Sequence, residues 1–296
     1  MTNLLVAALP ESRALAQRVA VALGAEQARL EIRPFPDEET YLRYDGPVAG
    51  KLVVIVCSLD RPNRKFLPLA FAAATARELG ASGVGLVAPY LAYMRQDRRF
   101  KPGEAVTSTH FARLLSSQID WLVTVDPHLH RHKSLGDIYT APVRVAHAAP
   151  LISNWIRSEV DRPLLLGPDS ESEQWVAAVA SASGAPFAVM SKIRRGDRDV
   201  EVSLPALDQW RDRTPVLVDD IASTARTMIE GVKRLRAVRM TAPVCVAVHG
   251  IFAGDAYDAL RTAGAARIVT LNTVPHASNE IDVSALLANA VRKLAP

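Results

Sequence analysis

Cysteine is nearly absent: the 296 residues hold two, Cys57 and Cys245, each within an apolar run that reads as a strand. Isolated thiols in such places exclude a disulfide framework and imply buried cysteines in a reducing compartment. No apolar run approaches the length of a membrane span, and the first residues lack the charged and apolar regions of a signal peptide. A soluble cytoplasmic protein without a membrane partner is expected. Nor is charge of one sign concentrated: 35 Lys and Arg face 31 Asp and Glu, and the arginines gather near candidate loops instead of forming one tail. That favours small phosphorylated substrates over a nucleic-acid partner.

What the chain does have is apolar residues, 49% of the total, in short runs that alternate with amphipathic segments. Leu4 to Ala8, Leu52 to Cys57, Val84 to Ala88 and Trp121 to Val125 read as buried strands. Helices are predicted over Glu11 to Leu23, Asn63 to Leu79 and Ser108 to Ser117, and Tyr41 to Tyr44 reads as a return strand. The same order restarts after Pro150, with helices at Leu151 to Glu159 and Glu171 to Ser181, and strands at Leu164 to Leu166, Phe187 to Met190, Val244 to Val248 and Ile268 to Thr270. Such alternation implies α/β domains, each a mainly parallel sheet with helices on both faces. The expected division is 1–146 and 147–282, with a last helix in 283–296 that can belong to either half.

The rest of the chain is arranged around Val216 to Gly231, VLVDDIASTARTMIEG. An apolar strand ends at Asp219 and Asp220, and a turn of Ser223, Thr224, Ala225, Arg226 and Thr227 opens a helix with Met228, Ile229, Val232 and Leu235 at helical spacing. Free N–H groups at a helix start hold a phosphate without lysine, and two neighbouring carboxylates suit vicinal sugar hydroxyls. A structural N-cap beside solvated carboxylates is the other reading.

Further segments concentrate chemistry near strand ends. Phe35-Pro36-Asp37-Glu38-Glu39 offers an aromatic face and carboxylates to an adenine, or is an acidic turn with one anchoring ring. Arg95-Gln96-Asp97-Arg98-Arg99 gathers three guanidiniums suited to phosphate oxygens. His128, His130 and His132 alternate past a strand, but no Cys or carboxylate nearby completes a zinc site. Asp169, in Gly167-Pro168-Asp169-Ser170-Glu171-Ser172, is an N-cap or a ligand for a hard cation. Lys192 and Arg194 lie in a basic loop with Gly196 as a candidate hinge.

Asp219-Asp220-Ile221 followed by Ser223-Thr224 and Thr227 resembles the ribose-phosphate loop of the type I phosphoribosyltransferase fold, and the other segments are similar to those of the ribose-phosphate pyrophosphokinase family. The resemblance spans the chain nearly from end to end. It implies two phosphoribosyltransferase-like domains with an active site between them, and a last helix packed on the first domain. The implied reaction moves the diphosphoryl group of ATP to ribose 5-phosphate, giving phosphoribosyl pyrophosphate and AMP. ATP is assigned to Phe35, Asp37, Glu38, Glu39, Arg95, Gln96 and Asp97, Mg2+ to His128 and Asp169, and catalysis to Lys192 and Arg194. Ribose 5-phosphate is assigned to Arg194, Asp219, Asp220, Ser223, Thr224, Ala225, Arg226 and Thr227. A homo-oligomer with the ATP site near a subunit interface is also implied. Glu38, Ser170 to Ser172, and Ala225 with Arg226 stand where the family has glycine or small residues. Those departures leave a catalytically silent binding subunit as the alternative, and a phosphoribosyltransferase as a third reading.

Overall fold

The computed structural model describes residues 3–129, 131–168, 172–194 and 200–295, and at 174, 192–194 and 200–202 the backbone alone. Two compact units make up the chain: Met1–Ala146 with Thr273–Pro275 and Val283–Pro296, and His147–Asn272 with His276–Asp282.

The first unit runs β1 (Leu4–Ala8), α1 (Arg13–Leu23), β2 (Glu26–Gln27), β3 (Arg29–Pro34), β4 (Thr40–Asp45), β5 (Leu52–Val56), α2 (Pro62–Glu78), β6 (Gly83–Ala88), α3 (Thr107–Ser116), β7 (Trp121–Val125) and β8 (Val143–Ala146). Its sheet has the order β2-β1-β5-β6-β7-β8, with every adjacent pair parallel. All residues of β5 and β7 are buried, as helices on both faces of a parallel sheet require. β3 and β4 form an antiparallel hairpin of their own. The last helix, α8 (Ser284–Arg292), lies against α1, β7 and β8.

The second unit runs α4 (Ala149–Glu159), β9 (Pro163–Gly167), α5 (Glu173–Ser183), β10 (Phe187–Val189), β11 (Ser191–Arg194), β12 (Val200–Ser203), β13 (Thr214–Ala222), α6 (Arg226–Ala237), β14 (Val244–Gly250), α7 (Ala256–Ala263), β15 (Arg267–Leu271) and β16 (Asn279–Ile281). Its parallel sheet, β10-β9-β13-β14-β15-β16, repeats the order of the first, and the hairpin β11-β12 enters at the same point as β3-β4. In each unit the chain goes out to an edge strand and returns across its first strand. The reversal opens a crevice at the carboxyl ends of β1 and β5, and of β9 and β13, where open α/β sheets bind ligands.

Three features differ from the sequence reading. β13 does not stop at Asp219 and Asp220: its pairing with β14 continues through Ile221 with His249 and Ala222 with Gly250, because apolar Ile221 and Ala222 prolong the run beyond the carboxylates. Lys192 and Arg194 lie on a strand, where a loop was expected, since Ser191–Arg194 finds an antiparallel partner in Val200–Ser203. The short strands β2, β8 and β16 were not read at all; β2 is two polar residues, which carry no strand pattern.

Candidate active site

In the second unit, β13 delivers Asp219 and Asp220, both half-buried, to the carboxyl end of the sheet. The Asp220 N–H donates to Asp219 Oδ1 at 2.9 Å. Ser223, Thr224 and Ala225 then turn the chain into α6. Ala225 is the residue before the helix and sits in the left-handed region, φ 53° and ψ 14°. That conformation suits glycine, so the turn keeps a glycine-like shape without the glycine. Gly231 lets α6 lie close to β13, since an added Cβ would stand 3.1 Å from Met190 Cε and 3.3 Å from Leu217 Cδ1.

The carbonyls leading into the turn are occupied and its amides are open. Ala222 O accepts from the N–H groups of Ile251 (3.0 Å) and Phe252 (2.9 Å), and Ser223 O accepts from that of Ala253 (3.0 Å). Among the described residues, no backbone carbonyl accepts from the N–H groups of Ser223 to Arg226. Thr224 and Arg226 are exposed, while Ser223 and Thr227 are half-buried. A cation at the first helical position, Arg226, opposes the helix dipole, costing roughly 0.3–1 kcal/mol unless an anion sits beside it.

Across the crevice, Gly167 closes β9. A Cβ there would meet Ser172 Oγ at 2.8 Å and Val176 Cγ2 at 3.1 Å, so the start of α5 packs directly on the strand end. Asp169, Ser170 and Glu171 lie outside the described residues. Lys192 and Arg194 are two apart on β11, opposite Val202 and Val200, and only their backbone is described.

The corresponding crevice in the first unit is filled. Ser58 N–H donates to Ser12 Oγ (3.0 Å), Ser58 Oγ–H to Thr273 O (2.5 Å), and Leu59 N–H to Tyr90 O (3.0 Å). Lys65 Nζ, itself buried, spans Ser58 O and Asp60 Oδ1. α2 opens with Pro62, which has no N–H to offer. The amides of Ser58 and Leu59 are therefore taken by the protein itself.

The other assigned residues of the first unit lie on three connections. Phe35 to Glu39 closes the β3-β4 hairpin: Glu38 N–H donates to Phe35 O (2.9 Å), Phe35 N–H to Glu39 O (2.7 Å), and Asp37 Oδ1 accepts from Glu39 N–H (3.3 Å). Glu38, at φ 69°, occupies the left-handed position of this three-residue turn, where glycine is the usual choice. Phe35 is exposed, with the Arg33 guanidinium 5.2 Å from its ring centre and the Tyr41 ring edge-on to it. After β6, Arg95 is exposed, and Gln96 accepts from Thr107 Oγ1 (2.9 Å) at the start of α3.

Asp97 is otherwise engaged. Its side chain is 4% exposed and takes two hydrogen bonds from Arg131 Nη1, at 3.0 and 3.2 Å. The pair joins the loop after β6 to the loop after β7, which carries half-buried His128. His130 lies outside the described residues, and among those described no three His, Cys, Asp or Glu side chains converge as a metal cage. The sequence reading gave no role to Arg131 or to the 251–253 segment, whose contribution is backbone N–H groups that no side-chain motif announces.

Two repeats of one parallel sheet, one crevice filled and the other bearing an amide turn beside paired carboxylates, define a phosphoribosyltransferase-type α/β protein. The comparisons agree. The model for the N-terminal domain of ribose phosphate pyrophosphokinase matches residues 4–118, and that for the phosphoribosyl transferase domain matches 134–286. Ribose-phosphate pyrophosphokinase of Methanopyrus kandleri is 34% identical over 98% of this chain and 99% of its own. That of Methanothermobacter thermautotrophicus is 32% identical over 95% and 97%. The crystal structure of phosphoribosylpyrophosphate synthetase from Mycobacterium smegmatis superposes with a TM-score of 0.84 at 23% identity, covering 99% of both chains, and so shares the fold. This chain belongs to the ribose-phosphate pyrophosphokinase family.

Proposed function

We propose that the protein transfers the β,γ-diphosphoryl group of ATP to the anomeric hydroxyl of ribose 5-phosphate, giving phosphoribosyl pyrophosphate and AMP. The observation that carries this reading is the turn after β13, with amides open, the Ala222 and Ser223 carbonyls occupied and two carboxylates on the strand that feeds it. The 5-phosphate binds the N–H groups and hydroxyls of Ser223, Thr224, Ala225, Arg226 and Thr227, and the ring hydroxyls donate to Asp219 or Asp220. Arg226 then faces the anion that its position at the helix start favours.

The anomeric oxygen attacks Pβ in line, the bond from Pβ to the α-bridging oxygen breaks, AMP leaves with that oxygen, and the hydroxyl proton is released. Lys192 and Arg194, spaced as residues that share one face of a strand, neutralise charge developing on the bridging oxygen, and Arg194 also contacts the sugar phosphate. Phe35 stacks on the adenine, Asp37, Glu38 and Glu39 accept from it, and Arg95 and Gln96 hold the phosphate chain. Asp97 acts by fixing Arg131 between the two loops. Mg2+ keeps several waters and takes few protein ligands beside substrate phosphates, which fits His128 and Asp169 as contacts for a nucleotide-borne ion. When bound it offsets triphosphate charge. The protein is a homo-oligomer in this reading, with ATP near a subunit interface.

The test is incubation of pure protein with ATP, ribose 5-phosphate and Mg2+, measuring AMP and phosphoribosyl pyrophosphate. AMP release that ignores ribose 5-phosphate would overturn the reaction. Lys192→Ala is expected to lower kcat by about 10², the loss typical when one preorganised donor is removed from a developing oxyanion.

A further inference from the structure

We infer that Phe252, braced by Tyr257 and His276, is a positioning residue that aims the amides of the ribose 5-phosphate turn; this deepens the function proposed above and rests on it. A trans peptide unit is rigid, with C=O and N–H pointing in opposite directions. Ala222 O is fixed on the N–H groups of Ile251 and Phe252, so the Ser223 N–H in the same peptide unit is directed away from them. Ser223 O is fixed on Ala253 N–H, and the Thr224 N–H is directed away in the same manner. Segment 251–253 therefore sets the direction of two amides that the sugar phosphate needs.

That segment holds an unfavourable backbone conformation, since Phe252 has φ 40°. Its buried ring is what keeps it there. It lies over Gly250, where an added Cβ would stand 2.8 Å from Phe252 Cε2. It packs on Tyr257 at 5.3 Å between ring centres and on His276 at 4.7 Å, and those two pack on each other at 4.7 Å. The His276 ring is itself anchored. Its Nδ1 accepts from Ser278 N–H (3.1 Å) and pairs with Ser278 Oγ (2.8 Å), and that hydroxyl reaches Thr270 Oγ1 on β15 (2.7 Å). Accepting from a backbone N–H puts the ring proton on Nε2, and burial, which lowers the His276 pKa, favours this neutral form. The brace thus runs from β15 through three rings to the carbonyls of the turn.

Phe252→Leu and Tyr257→Leu remove the ring contacts, and Gly250→Ala crowds both the Phe252 ring and, at 2.9 Å, the Thr270 side chain at the other end of the brace. Each variant is expected to raise KM for ribose 5-phosphate about tenfold, because small misplacement of binding groups is costly, while KM for ATP stays at the wild-type value. Tyr257→Phe keeps the ring and is expected to keep KM for ribose 5-phosphate near wild type. Unchanged KM for ribose 5-phosphate with only a lower melting temperature, or equal rises in both KM values, would overturn the brace. Should Phe252→Leu fail to fold, Tyr257→Leu and Gly250→Ala carry the test. Calorimetric titration with ribose 5-phosphate separates this from the reaction: binding by wild type that weakens in the variants, without turnover, sinks the proposed reaction and keeps the brace. No binding by wild type overturns both.

Discussion

Cys57 and Cys245 are enclosed, and burial pushes each thiol up to about 12 from an ordinary 9.0, with Lys65 pulling slightly the other way at Cys57. A thiol harder to ionise in the fold than in the unfolded chain stabilises fully below the unfolded value, and that contribution is lost as pH rises through the folded one. Stability is therefore expected to fall from about pH 9 upward, by about 1.4 kcal/mol per pH unit per thiol, and Cys57→Ser with Cys245→Ser should flatten that slope in urea melts. Both thiols should resist a disulfide reagent at pH 8 until the protein is unfolded. Burial of these residues was legible because each stands in or beside a run such as Leu52 to Val56 that is apolar on both faces. The pairing of Asp97 with Arg131 was not legible, because the two stand 34 positions apart and no local pattern joins them.

Among the elements, the two turns that lack family glycines are the most informative. Glu38 and Ala225 adopt φ 69° and 53°, the conformations their absent glycines would have taken freely. Left-handed backbone costs an ordinary residue about 1–2 kcal/mol, and glycine returns roughly 0.5–1 of that through unfolded-state entropy. Glu38→Gly is thus expected to stabilise the protein by about 0.5 kcal/mol, and Glu38→Ile, β-branched in a region it resists, to destabilise it by about 1 or more. Urea unfolding of the two variants checks both signs. Helices and central strands were readable because their periods are strong, as in Leu15, Ala16, Val19 and Ala20 of α1. β11 was read as a loop because Lys192 and Arg194 hide its alternation, and the far end of β13 was missed because two carboxylates interrupt an apolar strand. In both cases pairing with a distant strand outweighed local pattern.

At the scale of the molecule, alternation of strands and helices made the α/β class legible, but not the strand order, which depends on where each crossover lands. The return of the chain's end to the first unit has an energetic consequence. α8 and the residue before it bury Val283, Leu287 and Val291 completely, worth roughly 1.5–3 kcal/mol each. Their sum is of the order of a domain's whole stability. A chain ending at Asp282 should therefore lose the folded first unit, while the second, which needs nothing beyond Asp282, keeps its protection in amide hydrogen exchange. Retained slow exchange in α1 and β7 of the shortened chain would contradict this.

Segment Thr273–Pro275 also returns to the first unit, and its Thr273 carbonyl takes the Ser58 hydroxyl in the filled crevice. The half made first is therefore completed last. While the chain is still on the ribosome, the N-terminal half waits with an open seam for residues not yet translated, and the later half is the one that can finish folding first.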